Sequence, residues 1–473
     1  ASDVYKRQLY VSFVPPEAGG APLSAAMEPL VEALAPPADV LDEAQRAPTP
    51  AAALDLLGAA YREDTPQTAA LEAALRRQDT MAESLAAMER AARPAHFFAR
   101  ETRPLGALLG DRLTLSPTRV EQYYRCRFSY FLQYVLRIRP RRRAELSPLE
   151  SGSLVHYILE HVMRRAGAEF PRLAPEELAR LAGEVADQYV AENMPAAGRR
   201  FAYLVERLKR GVTRLLAYLQ AEQAQSLFHP AAFEQEIGTG EGAVPPLTLR
   251  TPDGRTVQVQ GKIDRVDVME REGRTYLRVV DYKTGNKAFN LDEVYCGLNT
   301  QMLLYLFTLR SNAAQVYKNP VAAGVLYLAG DPVLKTGSRA EAAAAPVYKV
   351  DGLVLNDELV VRGMDRDATG MFVPFAFGKD GAPRASAKLA SLEKLGNIEK
   401  HLDALVVEMA RGLYAGEIDA VPLRTAAHCP CDVCDYRPVC LHEDGRGETS
   451  VQAPKDVFET RADACKAQGE GNI

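Results

Sequence analysis

Alternating apolar and polar residues mark a β-hairpin near the middle of the chain. One alternating run covers residues 257–264 and a second covers 277–283, with a Glu272-Gly273 pair between them. A period of two is typical of strands, and a glycine-containing pair is typical of a hairpin turn. A turn centred between Glu272 and Gly273 places residues opposite each other when their numbers sum to 545.

This register places Asp264 opposite Asp281, with Cβ atoms roughly 5 Å apart. Lys283 follows two residues later, on the same face as Asp281. Facing carboxylates repel unless a shared proton, a cationic side chain or a divalent metal neutralises them. Oxygen ligands suit a hard ion such as Mg²⁺, and a nearby ammonium suits an anionic substrate. An Asp-x-Lys tripeptide on its own favours the alternative, a solvated hairpin face.

The remaining periodicity predicts an α/β protein in which helices flank a mixed central sheet. The order of elements, helices and strands followed by a further helix and strand, favours this class. Helices are predicted near residues 50–62 and 66–92, from Ser116 onward, over 151–165 and 172–225, and around Gln301 and Tyr305. Further strands are predicted over 9–14, 233–237, 247–250 and 321–328, and residues 331–400 are predicted to be irregular.

Two polar residues lie beside the apolar face of the helix predicted over 151–165. His156 and Glu160 are four residues apart, at the edge of the apolar arc. A lone histidine at such an edge is usually a structural group. His156 becomes a candidate ligand only if the carboxylate pair lies nearby.

Composition and charge limit the possible partners. The 473 residues are enough for two or three domains. Because the net charge is −5, any contact with nucleic acid must come from local patches. Residues 137–143 hold five arginines, which suit phosphate contacts or a solvated linker. No apolar run approaches the roughly 20 residues of a membrane span, so no membrane partner is expected.

The chain carries no phosphate-binding G-x-x-x-x-G-K-[ST] loop, so this chain alone is not a recognisable P-loop ATPase. We find no pattern of a secretory signal. Residues 1–8 fit no pattern that follows them. We therefore expect a fragment that lacks an N-terminal part.

Four of the seven cysteines crowd into residues 429–440. This clustering favours metal ligation in a reducing, cytoplasmic compartment over disulfides. A C-x₂-C-x₅-C pattern supplies three thiolates, and both Zn²⁺ and an iron–sulfur cluster accept four. The alternative is four free thiols. The three patterned residues are Cys431, Cys434 and Cys440, and the candidates for a fourth ligand are Cys429, Cys126 and His442.

Four sequence motifs, in their order along the chain, resemble those of RecB-family nucleases of the PD-(D/E)XK superfamily. They cover residues 153–160, 261–267, 281–285 and 301–305. One cysteine before this core and three after it resemble the iron–sulfur clasp of AddB-type subunits of bacterial AddAB helicase–nucleases. The resemblance spans roughly residues 113–442. It departs from the family at Arg127, where proline is usual, and at the additional thiol of Cys429.

The resemblance implies a role for each matching residue. His156, Asp264, Asp281 and the backbone carbonyl of Tyr282 would hold Mg²⁺ or Mn²⁺. Lys283 would orient or activate the attacking water, and Glu236 is a candidate for a further carboxylate on the preceding strand. The remaining roles are lining the site and positioning DNA for Gln301 and Tyr305, and binding a [4Fe–4S] cluster for Cys126, Cys431, Cys434 and Cys440.

The resemblance also implies an organisation and partners. Residues 1–105 would be the end of a helicase-like region, residues 106–445 the nuclease domain with its clasp, and residues 446–473 a polar tail. Single-stranded DNA at duplex ends and an AddA-type subunit would be the partners.

Three alternatives to a DNA-repair exonuclease stay open. The first is a stand-alone nuclease of the CRISPR-associated type, the second a non-catalytic DNA-binding scaffold, and the third a zinc-clasped interaction module. The complete set of His156, Asp264, Asp281 and Lys283 argues against the scaffold.

Overall fold

The computed structural model describes residues 47, 49–61, 65–92, 106–139, 148–193, 199–283, 288–332, 348–425, 429–440, 442–443, 447–454 and 458. By its contacts the chain divides into two units, residues 1–94 and 95–473. The strand predicted over 9–14 lies outside the described residues, as do Thr284, Gly285 and most of the arginine run, residues 140–143.

The described part of the first unit is helical, as predicted. Thr49 and Thr65 begin two of its helices, because each side chain accepts a hydrogen bond from a backbone N–H of the first turn and a proline follows each threonine. Leu57, Leu75 and Leu85 pack together in its core. Its elements are α1 (Pro50–Ala59), α2 (Pro66–Arg76), a 3₁₀ turn (Asp79–Met81) and α3 (Ala82–Ala92).

The second unit combines helices and strands, which confirms the α/β prediction. Its helices are α4 (Gly106–Leu109), α5 (Pro117–Arg125), α6 (Arg127–Tyr130), α7 (Pro148–Ala166), α8 (Pro175–Asn193), α9 (Arg199–Gln225), α10 (Leu291–Tyr295), α11 (Gln301–Asn312), α12 (Glu358–Met364), α13 (Leu392–Ala415) and α14 (Arg437–Cys440). Its strands are β1 (Arg112–Leu115), β2 (His229–Ile237), β3 (Leu247–Arg250), β4 (Thr256–Val259), β5 (Gly261–Arg271), β6 (Arg274–Lys283), β7 (Pro320–Pro332), β8 (Tyr348–Leu355), β9 (Leu389–Ala390), β10 (Leu423–Arg424) and β11 (Thr449–Ser450).

Three shorter turns complete the backbone of this unit. A π-helical segment (Phe131–Val135) follows α6, and 3₁₀ turns cover Gly167–Arg172 and Pro430–Val433. Ser116 begins α5, since its hydroxyl accepts a hydrogen bond from the Arg119 N–H at 3.3 Å. This is the helix start that the Ser-Pro pair predicts.

A six-stranded mixed sheet forms the centre of the second unit, in the order β2-β5-β6-β7-β8-β9. Strand β5 is antiparallel to both of its neighbours, β2 and β6. Strands β6 and β7 run parallel. Helix α11 contacts β6 and β7, and α9 contacts β7. Strand β6 therefore has strands on both sides, and eight consecutive residues of it are buried.

The hairpin of β5 and β6 has the predicted register. Arg271 pairs with Arg274 and Arg265 with Val280, so the numbers of paired residues sum to 545. Glu272 and Gly273 have φ values of 52° and 72°, the left-handed conformations that a tight two-residue hairpin turn requires. One further step of this register brings Asp264 opposite Asp281.

The first arm of the hairpin is shorter than predicted. Its alternating pattern begins at Val257, but the strand breaks at Gln260. Strand β4 belongs to a separate three-stranded sheet in the order β1-β4-β3. Val257 and Val259 are buried there, so the same alternation serves two different sheets.

The stretch 331–400 is more regular than predicted. It contains the edge of the central sheet, strands β8 and β9, as well as α12 and the start of α13. Gly352 has a φ of 149°, and its backbone lies against the Val325 carbonyl of β7. Part of the glycine- and aspartate-rich sequence that indicated irregular structure, including Gly352, thus lies within strand β8. In the predicted polar tail, β11 pairs with β10, and Phe458 is buried.

Candidate active site

At the end of the hairpin, the side chains of a histidine and an aspartate meet a backbone carbonyl. Helix α7 carries His156, whose Nε2 donates a hydrogen bond to the Tyr282 carbonyl at 2.9 Å. The other ring nitrogen, Nδ1, lies 3.4 Å from Asp264 Oδ2. The same carboxylate accepts a 3.3 Å hydrogen bond from the Tyr282 N–H. The predicted neighbours His156, Asp264 and Tyr282 therefore contact one another.

Asp281 and Lys283 form an ion pair beside this group. The Lys283 ammonium lies 2.9 Å from Oδ1 and 2.7 Å from Oδ2 of Asp281. The Asp281 side chain is 4% exposed, whereas that of Lys283 is 29% exposed. The carboxylate is thus enclosed and the ammonium reaches the solvent of the cleft.

The pKa values of Asp281 and Asp264 are shifted in opposite directions. Burial and the neighbouring Asp264 charge raise the pKa of Asp281 to about 6, although Lys283 opposes this. Burial also acts to raise the pKa of Asp264, but the hydrogen bond and charge of His156 outweigh it and lower that pKa. Despite burial, Asp264 raises the pKa of His156 to about 9. A cation between the carboxylates would relieve the repulsion, so the donor set fits a hard divalent ion.

Helix α11 places Gln301 and Tyr305 behind the start of β5. The Tyr305 hydroxyl accepts a 3.4 Å hydrogen bond from the Lys262 N–H, and the Gln301 side chain hydrogen-bonds Tyr305. Burial raises the pKa of Tyr305 to about 12. A Cβ at Gly261 would lie 2.3 Å from the Tyr305 hydroxyl oxygen, so the close approach of this ring requires a glycine.

A buried glutamate fixes the start of this helix. Glu121 of α5 accepts hydrogen bonds from the backbone N–H groups of Thr300 at 2.9 Å and Gln301 at 3.1 Å. A carboxylate satisfies otherwise unpaired N–H groups at a helix N-terminus. The sequence pattern does not reveal this contact, because 179 residues separate Glu121 from Thr300.

The carboxylate on the preceding strand is Glu234, not the candidate Glu236. Phe233 pairs with Arg265 and Gln235 with Ile263, so Glu234 lies opposite Asp264. Potential ligand atoms of His156, Glu234 and Asp264 lie within 4.8 Å of one another. Glu236 is exposed. Counting residues along the paired strands β2 and β5 would have identified Glu234. Its backbone has a φ of 50°, and nothing in the sequence pattern indicates that conformation.

His156, Asp264 and Lys283 line a cleft of about 680 Å³, whereas Asp281, Gln301 and Tyr305 are not among its lining residues. Lys262 stands at its edge, where its ammonium lies 2.8 Å from Glu234 Oε2. Glu160 also lines the cleft, and its carboxylate lies 3.0 Å from Arg164 Nε. The cleft thus combines acidic groups that suit a cation with exposed ammonium groups that suit a phosphate.

A buried charge network lies on the opposite face of the hairpin. Arg265, Arg278, Asp267 and Glu222 are each at most 7% exposed, and Glu222 comes from α9. Arg265 donates to Asp267 at 2.9 Å, and Arg278 lies 2.6 Å from Glu222. Arg265 also donates to the Tyr282 hydroxyl at 2.7 Å. Tyr282 therefore joins the network to the His156 contact through its side chain and carbonyl.

The cysteines predicted for the clasp line one cavity of about 310 Å³. Cys126 lies at the junction of α5 and α6, and the other three come from the C-terminal segment. Burial raises the pKa of the Cys126 thiol to about 11. Four thiols that line one cavity suit a four-thiolate centre, although they do not form one of the described groups whose ligand atoms all lie within 4.8 Å of one another. The lining residues include Cys126, Cys431, Cys434, Cys440 and His442.

An apolar cluster and a hydrogen bond hold the two sides of this cavity together. Phe128 and Leu132 from the N-terminal side pack with Tyr436, and the Tyr436 hydroxyl donates to the Ile138 carbonyl at 2.7 Å. The cavity therefore joins segments about 305 residues apart in sequence.

Comparison with known families identifies the superfamily of this chain. The family model described as the PD-(D/E)XK nuclease superfamily matches residues 114–441, from β1 to the cysteine segment. The chain belongs to the PD-(D/E)XK nuclease superfamily. The described residues include no helix that is long and apolar enough to cross a membrane.

This PD-(D/E)XK chain is also similar to curated proteins that are named as subunits of an ATP-dependent helicase/deoxyribonuclease. The relative from Clostridium acetobutylicum is 31% identical in an alignment of 368 positions that covers 74% of this chain and 32% of the relative. That from Acetivibrio thermocellus is 30% identical over 77% of this chain and 33% of its own length. That from Desulforudis audaxviator is 34% identical over 71% and 30%. The chain spans about a third of the length of these relatives.

Proposed function

We propose that this chain carries the nuclease site of a helicase–nuclease subunit and hydrolyses phosphodiester bonds in single-stranded DNA. The observation that carries this proposal is the convergence of His156, Asp264, Asp281 and Lys283 at one end of the β5–β6 hairpin. The relatives are named as helicase/deoxyribonuclease subunits, which supports DNA as the substrate.

Mg²⁺ or Mn²⁺ would be held by His156, Asp264, Asp281 and the Tyr282 carbonyl, and binding would require the His156 ring to lose a proton and its hydrogen bond to one of these groups. When bound, the ion lowers the pKa of a water molecule and stabilises negative charge on the phosphate. Lys283 contributes from the protein, because Asp281 holds its ammonium at the cleft, where it orients water and offsets phosphate charge.

Gln301 and Tyr305 would position the substrate. Their side chains are linked, and Tyr305 also contacts the backbone at Lys262. Glu121 fixes the helix that carries them. A shift of this helix would move both side chains relative to Asp264.

Cys126, Cys431, Cys434 and Cys440 would hold a [4Fe–4S] cluster. Their place is structural, since they lie outside the set of residues that lines the catalytic cleft. Joining segments so far apart in sequence restricts the unfolded chain in the way that a crosslink does.

The same proposal names the partners and the process. The chain would work with an AddA-type helicase–nuclease subunit in the bacterial cytoplasm, and would process duplex ends during recombinational repair. Arg137 and Arg139 are exposed beside the cysteine cavity and would contact DNA phosphates.

A degradation assay tests the nuclease proposal. We expect the purified chain, supplied with the AddA-type subunit, to degrade end-labelled single-stranded DNA in Mg²⁺. Asp281→Asn should lower the rate by at least roughly 10²-fold, whereas Asp367→Asn, at an exposed aspartate outside the cleft, should not change it. Binding of DNA without cleavage by the unmutated chain would favour a scaffold instead.

A further inference from the structure

A second group of buried metal-ligand side chains lies beside the predicted clasp. Potential ligand atoms of Cys429, Cys431 and His442 lie within 4.8 Å of one another. Cys429 is fully buried and Cys431 is 7% exposed. The His442 side chain is 4% exposed. Three buried soft or borderline donors this close together are typical of a transition-metal site.

Glu448 lies next to two members of this group, His442 and Cys429. Its Oε1 lies 3.1 Å from His442 Nε2 and 3.7 Å from Cys429 Sγ, and its side chain is 8% exposed. Around a tetrahedral Zn²⁺ with bonds of about 2.0–2.3 Å, ligand atoms lie roughly 3.3–3.8 Å apart. The two measured separations are close to this range. Arg424 pairs with both oxygens of Glu448, with its Nη2 2.9 Å from Oε1, and so holds the carboxylate in place.

Cys431 has neighbours in both groups of ligands. It hydrogen-bonds Cys429 and interacts with Cys126 and Cys434. Cys126, Cys434 and Cys440 pack against the apolar cluster of Phe128, Leu132 and Tyr436, and Cys429 does not belong to that cluster. Cys431 therefore lies between a four-thiolate set and a mixed set of two thiolates, one imidazole and one carboxylate.

We propose that Cys429, Cys431, His442 and Glu448 form a Zn²⁺ site that shares Cys431 with the four-cysteine set. Because one thiolate serves both sets, a chain that holds Zn²⁺ in the mixed set lacks one ligand for the iron–sulfur cluster. The additional thiol at Cys429 thus allows two alternative metal-bound states. With the iron–sulfur cluster bound, a metal centre links Cys126 to the C-terminal segment. With Zn²⁺ in the mixed set, it does not.

Titration of the metal-free full chain with Co²⁺, as a spectroscopic probe for Zn²⁺, tests this proposal. Zn²⁺ can also bind four cysteines, so the test uses chains in which that set is broken, Cys434→Ala and, independently, Cys126→Ala. Both should still bind one Co²⁺ with the absorption of a tetrahedral thiolate site, and Zn²⁺ should displace it. Adding Cys429→Ala or His442→Ala should weaken binding by more than tenfold, whereas adding Cys296→Ala should leave it unchanged.

Circular dichroism of each variant distinguishes lost binding from lost folding. Failure of both folded chains, Cys434→Ala and Cys126→Ala, to bind Co²⁺ would overturn the proposal. So would equal binding with and without Cys429.

Anaerobic reconstitution with iron and sulfide tests the competition itself. Loading the unmutated chain with Zn²⁺ first should lower iron incorporation at least severalfold. The Cys429→Ala chain, which keeps all four clasp cysteines, should incorporate iron equally with and without prior Zn²⁺. Equal inhibition by Zn²⁺ in both chains would show that Zn²⁺ occupies the four-cysteine set, and the proposal would be wrong. None of these measurements depends on nuclease activity.

Discussion

Asp281 lies between charges of opposite sign, the Asp264 carboxylate and the Lys283 ammonium. Its burial makes both interactions strong, because little water is present to screen them. The His156 ring contacts Asp264 and lowers the pKa of that carboxyl group. Each of these residues therefore affects the charge state of its neighbour.

We predict that Lys283→Ala separates catalysis from metal binding. In the proposed mechanism its ammonium would offset charge on the phosphate without binding the metal, so cleavage should fall by roughly 10²–10³-fold. Mn²⁺ affinity, measured by isothermal titration, should change by less than tenfold. Lys379→Ala, at an exposed lysine outside the cleft, is the control. Loss of Mn²⁺ binding in Lys283→Ala would instead make the lysine a support for Asp281.

We predict that Gly261→Ala destabilises the protein because it displaces the Tyr305 ring. The new methyl group would overlap the Tyr305 ring and push it away from β5, at a cost of about 1–3 kcal/mol in unfolding free energy. Urea denaturation should show this loss, and cleavage should fall with it. Gly238→Ala adds the same methyl group where nothing lies within 4 Å and should have little effect. Equal stability of the two variants would contradict the packing that we describe.

At the scale of elements, the hairpin supports the site through Tyr282. Its carbonyl accepts from His156 on one side, and its hydroxyl accepts from the buried Arg265 on the other. The strand thus connects the catalytic cleft to the charge network under α9. Because a buried charge that loses its partner is costly, removal of one partner in the network should destabilise the hairpin.

We predict that Tyr282→Phe destabilises the second unit. The change keeps the ring and the carbonyl but removes one partner of a guanidinium that is 1% exposed. The loss should be about 1–3 kcal/mol by urea denaturation. Tyr203→Phe, at a tyrosine that is 62% exposed, should change stability far less. If both variants matched the unmutated chain, the Arg265 contact would contribute nothing to stability.

The elements also show how far the sequence pattern reaches. The turn at Glu272-Gly273 fixes the register locally, so the pairing of β5 with β6 was predictable. The strand break at Gln260 was not, because alternation continues across it. Glu234, Glu121 and the charge network depend on pairings between distant segments, which periodicity does not encode. The roles of the site residues rest on the family resemblance and stay predictions.

At the scale of the whole molecule, the cysteine cavity joins the beginning and end of the second unit. Cys126 precedes the central sheet, and the C-terminal cysteines follow all six of its strands. Closing so long a loop lowers the entropy of the unfolded chain. A metal centre at this position would therefore stabilise the entire unit and not only its own neighbourhood.

We predict that removing the metal centre loosens this unit. Chelation of the iron-loaded chain, or Cys434→Ala, should lower the melting temperature by at least about 5 °C and weaken DNA binding. Cys296→Ala removes a cysteine outside the cavity and should do neither. Calorimetry and DNA-binding titrations provide the measurements. An unchanged melting temperature and DNA affinity in Cys434→Ala would contradict a stabilising clasp.

The position of a bound ion would show directly whether the two carboxylates form a metal site. Anomalous diffraction from crystals of the chain soaked in Mn²⁺ locates that ion without reference to activity. We expect a peak within about 2.2 Å of ligand oxygens from Asp264 and Asp281, next to His156 and the Tyr282 carbonyl. The peak should disappear in Asp281→Asn. A fully soaked crystal with no peak between these carboxylates, or an unchanged peak in Asp281→Asn, would contradict the proposed metal site.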